Sequence, residues 1–235
     1  MHLRFITSRL CPFAQRNLIV MHAKKLDFEV VWVDLFDKPA WLFELNDAGK
    51  VPLLEVDGEL LAESTVINEF LEEVFVGARL HPESALERAR SRMWIEAVSP
   101  LNLEVHRIMM APDDGTSAEA VETARQRLCR LEPRITGPLF SGAQLDLVDV
   151  TAAPALIRLA WCAAIDPETN AAAGLERVEA WQRNLVSHEA VMASTPDGLH
   201  ALWLEFLKGR ASPKRTAPAT RLGIKASVDL TPAAT

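Results

Sequence analysis

Hydrophobic positions along the first 80 residues recur with two alternating periods. Leu3, Phe5 and Ile6 mark a short β-compatible run over His2–Thr7, and Phe13, Leu18, Ile19 and Met21 then fall at near-helical spacing. Asp27–Leu35 contains Phe-Glu-Val-Val-Trp-Val, a β-branched and aromatic composition expected of a buried strand. Strand, helix and strand in this order predict a βαβ unit with parallel strands. A short helix is expected over Pro39–Leu45. Val51–Val56 and Glu59–Ala62 flank Asp57-Gly58, a two-residue link that favours a hairpin. Ser64–Phe75 carries Val66, Ile67, Phe70, Leu71 and Val74 at helical spacing, so this half reads β-α-β-α-β-β-α.

The pattern breaks at Gly77, Pro82 and Ser84, and beyond them no strand is evident. Helices are expected over Leu86–Met110, Thr116–Ile135, Leu147–Ala164, Glu176–Val186 and Leu199–Leu207. Asp146 and Asp149 form a capping box before the third of these, with Leu145 and Val150 as its hydrophobic staple. From Ala211 the chain turns to Ala, Pro, Thr, Ser, Lys and Arg, which cannot bury enough surface to offset ordering entropy. This tail is expected to be loosely draped, with Lys208, Arg210, Lys214, Arg215, Arg221 and Lys225 solvated. The fold class is α/β plus all-α: a domain over residues 1–76, a linker over 77–85, a helical bundle over 86–210 and a low-complexity tail over 211–235.

Charge and cysteine usage narrow the function classes. With 235 residues and a formal net charge of -7, the chain lacks the basic footprint of a nucleic-acid binder. Three cysteines at wide, irregular spacing suit neither a disulfide framework nor a zinc site, so no metal is expected. There is no signal-peptide pattern, and no uninterrupted apolar run of about 18 residues that would span a membrane. A cytoplasmic protein with no membrane or nucleic-acid partner is the expectation.

The candidate chemistry sits at Leu10-Cys11-Pro12-Phe13-Ala14, where a strand hands over to a helix. Unpaired N–H groups and the peptide dipole at a helix start favour a thiolate, so Cys11 is expected to have a lowered pKa. Pro12 suits a first helical turn. Ala14 leaves no second thiol within the motif, so a redox role would need a resolving thiol from elsewhere. Cys129 and Cys162, inside helical patterns, are expected to be buried small hydrophobes. Taken singly, Pro52 could be a strand-starting proline and Ser64 a helix cap.

Taken together, Cys11-Pro12-Phe13-Ala14-Gln15-Arg16, Asp37-Lys38-Pro39-Ala40-Trp41, Val51-Pro52-Leu53-Leu54-Glu55 and Glu63-Ser64 resemble, in order and spacing, the glutathione-binding domain of cytosolic glutathione transferases. Cys-Pro-Phe-Ala and Lys-Pro-x-Trp look most like the omega class, whose members act as thiol transferases. The resemblance implies a thioredoxin-like first domain, a cis bond before Pro52 and glutathione as co-substrate. It implies that Cys11 is catalytic and that Phe13, Lys38, Val51, Pro52, Glu63 and Ser64 hold glutathione. Val51 would pair with the cysteinyl backbone, Ser64 would bind the γ-glutamyl carboxylate, Glu63 the ammonium and Lys38 the glycyl carboxylate.

A pocket for the acceptor substrate is expected between the domains, with Trp94, Ile108, Met109, Trp161, His200 and Trp203 as candidate lining; His200 falls near where the omega class has a tryptophan. The resemblance further implies a homodimer. It points to reduction of small disulfides, dehydroascorbate or S-glutathionyl-ketones through a mixed disulfide of Cys11 with glutathione. Two other readings stand beside it: a lyase or dehalogenase acting on aromatic glutathione conjugates, and a non-catalytic regulatory scaffold.

Overall fold

The computed structural model describes residues 1–212 and 219–228. The first unit runs β1 (Leu3–Thr7), α1 (Pro12–Ala23), β2 (Glu29–Trp32), α2 (Ala40–Leu45), β3 (Leu53–Val56), β4 (Glu59–Ala62) and α3 (Ser64–Val74). The second runs α4 (Ala85–Val98), α5 (Leu101–Met110), α6 (Asp114–Leu131), α7 (Leu147–Ile165), α8 (Glu176–Val186), α9 (Glu189–Ala193), α10 (Leu199–Leu207) and α11 (Arg221–Val228). The sheet order is β2-β1-β3-β4, with β2 parallel to β1 and the β3–β4 hairpin antiparallel to it. This is the expected thioredoxin-like arrangement. Asp57 and Gly58 adopt φ of 49° and 94°, as a two-residue hairpin turn requires.

Alternation along the central strands divides the core. Leu3, Phe5 and Leu54 face α1 and α3, where they meet Leu18, Ile67 and Leu71. Ile6 and Leu53 face the other way, against Leu42 of α2 and Val33. The Phe-Glu-Val-Val-Trp-Val run is not a buried strand as expected. The sheet order puts β2 at an edge, where Trp32 is 39% exposed.

The second unit is helical and packs around α7, which is buried without a break from Leu147 to Leu159. By length and composition α7 is apolar enough to cross a membrane, but most of it is buried inside the protein. Its capping box is present: Asp146 Oδ1 accepts from Val148 N at 2.8 Å and Asp149 N at 3.0 Å, and Asp149 Oδ2 accepts from Asp146 N at 3.0 Å. Asp149 does more than cap. Its Oδ1 also accepts from Phe140 N at 2.9 Å and from the indole Nε1 of buried Trp181 at 2.6 Å, tying three segments together.

Several expectations need correction. Leu86–Met110 is two helices, because Pro100 offers no N–H to carry the ladder across. Leu103 N bonds to Pro100 O at 2.9 Å, which leaves the Ser99 carbonyl for Arg16 Nη2 at 3.2 Å. The helix expected to reach Ile135 stops at Leu131, ahead of a 3-10 turn at Glu132–Arg134 that contains Pro133. Cys129 is exposed on α6, whereas Cys162 is buried. The segment between the units is clamped: buried Lys24 donates to Phe75 O and Ala78 O at 3.0 Å and pairs with Glu72 at 2.7 Å.

The expected loose tail also fails for residues 219–228. Arg221 of α11 is buried and pairs with Asp114, Asp166 and Glu168, and Lys225 pairs with Asp166 at 2.7 Å. Thr220 N bonds to Leu207 O at 2.8 Å and Arg221 N to Ala111 O at 3.2 Å. A Cβ on Gly223 would lie 2.2 Å from Leu207 O, so only glycine permits this approach. Lys208 and Arg210 both pair with Glu205. Lys214 and Arg215 lie outside the described residues. Composition hid this docking because only Leu222 and Ala226 are buried as apolar residues, and acidic partners far back in the chain hold the segment beside them.

The two halves of the capping box are expected to differ in weight. Asp146→Ala removes a cap worth about 1 kcal/mol. Asp149→Ala also strands the Phe140 and Trp181 N–H groups in the core, and is expected to cost roughly 3 kcal/mol or more. Urea unfolding of both variants checks this; equal losses would mean that the extra two bonds contribute nothing.

Candidate active site

Cys11 is the N-cap of α1, in extended backbone conformation, and its Sγ accepts from Ala14 N at 3.5 Å. The thiol also faces the Val51 carbonyl at 3.8 Å, and Val51-Pro52 is a cis peptide bond. The structure therefore brings Cys11 and the Val51-Pro52 turn together across 40 residues. One expectation fails here. Burial pushes the Cys11 thiol up from its ordinary value, outweighing the N–H groups of Ala14 and Phe13 and the charges of Arg158 and Arg16, which pull it down. The sequence displayed the helix start but not the protein packed over it.

Phe13 is half-buried in the first turn of α1, its ring 5.0 Å from the Arg16 guanidinium carbon. Ser64 is buried as the first residue of α3, and its carbonyl accepts from Asn17 Nδ2 at 2.8 Å. Its hydroxyl does not cap the helix: the N-cap position belongs to Glu63, which is exposed and has φ of 69°. That value is costly for a side chain other than glycine. Lys38, on the loop after β2, is half-buried with Nζ 5.8 Å from the Phe43 ring centroid. Lys38 and the Glu63-Ser64 step thus lie on separate segments of the first unit, and among the described residues no hydrogen bond joins either to Cys11.

Between the units lies a cleft of about 510 Å³ whose wall includes Cys11, Trp32, Leu35, Met109, Trp203 and Phe206. Of the acceptor-pocket candidates, Met109 and Trp203 line it. Ile108 is fully buried in the bundle. Trp94 packs 5.8 Å from the Phe140 ring and beneath Arg134, away from the cleft. Trp161 and His200 stand 5.2 and 5.7 Å from Trp203 and 4.8 Å from each other, so they back the tryptophan that lines the cleft without lining it themselves.

Sequence reasoning missed Asn102, Arg158, Trp32 and Phe206, all on the wall. Arg158 was findable, as the one basic residue inside an apolar helix. Asn102 is buried, and neither its amide nor the Trp203 indole N–H has a partner among the described residues. Among the described residues no three His, Cys, Asp or Glu side chains gather to hold a metal ion. The arrangement suits a sulfur nucleophile acting on a compound with an apolar body.

Known proteins fit this geometry. The family model for the glutathione S-transferase N-terminal domain matches residues 10–74. Glutathione S-transferase omega-1 of Sus scrofa is 32% identical over 161 residues, 67% of each chain. Among solved structures, glutathione transferase Omega 3C from Trametes versicolor aligns with a TM-score of 0.74 at 25% identity, covering 84% of this chain and 90% of that one. Rice GST1, solved in complex with glutathione, aligns with a TM-score of 0.74 at 25% identity, covering 87% and 97%.

Glu63 offers a test that separates backbone from side chain. Glu63→Gly is expected to raise stability by about 1 kcal/mol by relieving the positive φ and, if the carboxylate holds glutathione as the resemblance implies, to weaken glutathione binding. Glu63→Ala is expected to weaken binding equally without the gain. Thermal unfolding and calorimetric titration with glutathione read the two effects apart.

Proposed function

The chain belongs to the glutathione S-transferase family, with relatives in its omega class, and from that premise we propose that it is a thiol transferase working through Cys11. One observation carries the reading: the group at the head of α1, facing the Val51 carbonyl beside Pro52, is a cysteine sulfur with alanine three residues on. A hydroxyl there could only donate to a glutathione thiolate. A thiol can itself exchange with a disulfide, and with no neighbouring thiol it needs a second glutathione to reset it.

In this reading glutathione lies along the first unit. Its cysteinyl backbone pairs with Val51 as an added strand. The Ser64 N–H and hydroxyl take the γ-glutamyl carboxylate at the start of α3. Glu63 accepts from the ammonium, Lys38 answers the glycyl carboxylate, and Phe13 and Pro52 complete the seat. The Cys11 thiolate attacks the glutathione sulfur of a mixed disulfide; the S–S bond breaks, and the released thiolate takes a proton. A glutathione thiolate then attacks the sulfur bound to Cys11, giving oxidised glutathione and free Cys11. Dehydroascorbate and S-glutathionyl-ketones are further substrates of the same site. The aromatic wall of Trp32, Trp203 and Phe206 favours a second reading on the same cysteine, a lyase acting on aromatic glutathione conjugates. Either cycle needs a reducing compartment, consistent with a cytoplasmic location.

The proposal includes a homodimer. Val66 and Val74 on α3 and Leu86 and Met93 on α4 are exposed apolar residues at helical spacing. Light scattering is expected to give twice the 26.0 kDa chain mass, and Val66→Glu with Met93→Glu to return it to one.

Exposed Cys129 would confuse thiol labelling, so the catalytic test uses a Cys129→Ser background. Adding Cys11→Ala is expected to reduce thiol transfer by about a hundredfold or more. After treatment with oxidised glutathione, mass spectrometry is expected to find one added tripeptide, on Cys11. Transfer surviving in the Cys11→Ala protein would remove the proposed nucleophile.

A further inference from the structure

Arg158 lies in the middle of α7, 3% exposed, on the wall of the cleft that holds Cys11. Among the described residues its hydrogen bonds go to neutral acceptors: Gln15 Oε1 at 2.8 Å, Pro154 O at 2.9 Å and Leu10 O at 3.3 Å. These engage three of its five N–H groups without balancing its charge. No carboxylate pairs with it among the described residues. A buried charge without a counterion is costly, and burial does lower the guanidinium, to about 10. The groups whose charge reaches it are the thiols of Cys11 and Cys162. Cys162, fully buried one turn further along α7, is pushed up to about 12 by burial and stays neutral. Cys11 is the anion left to it.

The surroundings of Cys11 support the same pairing. On its own helix Arg16 is also buried and also acts on Cys11, but its guanidinium is engaged with Ser99 and is shared with the carboxylate of Glu96. On the cleft wall Asp34 accepts from the Ser212 hydroxyl at 2.7 Å, Arg9 stands 5.4 Å from the Trp32 ring, and His106 is exposed. Lys50, beside Val51, is exposed. Arg158 alone among these is buried, anchored to the backbone of the residue before Cys11, and without a carboxylate acting on it. Its anchor is itself fixed, since Gln15 Nε2 donates to Ser194 Oγ and Thr195 Oγ1 at 3.3 Å.

We infer that Arg158 is a positioning residue from the helical unit that balances the Cys11 thiolate each time catalysis regenerates it. The timing rests on the thiol-transferase reading; the pairing itself does not. In the mixed disulfide Cys11 is neutral and Arg158 is unbalanced. When the second glutathione thiolate attacks the glutathione sulfur, the S–S bond breaks and its electron pair goes to Cys11 Sγ. An anion thereby returns beside the guanidinium. A stabilised leaving thiolate departs faster, so Arg158 speeds the resetting step as well as the first attack.

The test is the pH profile of Cys11 alkylation by iodoacetamide, without glutathione, in the Cys129→Ser background. Arg158→Gln is expected to move the midpoint up by about one unit, tenfold less thiolate at a given lower pH, and Arg158→Lys to keep it within about 0.3 unit of the parent. A folded Arg158→Gln protein with the parent midpoint overturns the inference, as does an Arg158→Lys midpoint displaced by a unit. If Arg158→Gln does not fold, the lysine variant decides alone on those limits. Because the assay uses no glutathione, failure of thiol transfer with this profile intact would sink the functional reading and leave the pairing standing.

Discussion

Three consecutive side chains on α1, Gln15, Arg16 and Asn17, are polar and buried, and buried polar groups must find partners. Each finds them on a different element. Gln15 joins Arg158 of α7 to Ser194 and Thr195 at the end of α9. Arg16 reaches Ser99 between α4 and α5. Asn17 holds Ser64 and Asn68 of α3, at 2.8 and 2.6 Å. An apolar face would let α1 slide or rotate by small amounts at low cost. Directional bonds to three elements do not, and they fix where its first residue, and hence the Cys11 sulfur, stands relative to both units.

Local patterns were readable to the extent that local physics sets them. The βαβ unit, the Asp57-Gly58 hairpin and the Asp146–Asp149 box depend on residues within a few positions of one another, and each stands as expected. Features set across space were not readable. β2 has the composition of a buried strand, yet the sheet order places it at an edge. Trp94 and Trp203 are the same residue type at helical positions, and only the packing of the bundle sends one to Phe140 and the other to the cleft. The motif around Cys11 fixes a helix start, but the ionisation of its thiol is decided by burial that the motif cannot show.

The same distinction separates the two ways this chain orders its segments. α7 is held by a continuous apolar surface, which hydropathy detects. α11 buries Leu222 and Ala226 but depends also on Asp166, whose carboxylate receives both Arg221 and Lys225 and is kept ionised against its own burial by their bonds. Charge complementarity between segments so far apart has no periodicity, so composition alone reads α11 as a solvated tail.

The gap between α4 and α5 gives helix propensity and stability opposite signs. Pro100 breaks the ladder, and by the usual ranking replacing it with a strong helix former would improve the local segment. A continuous helix, however, would claim the Ser99 carbonyl for Leu103 N, and that carbonyl now receives the buried guanidinium of Arg16. Repairing the defect would withdraw an acceptor from a charge that water cannot reach. A consensus-style stabilisation applied at residue 100 would therefore loosen the helix that carries the sulfur, and the imperfection is better regarded as a socket than as a flaw.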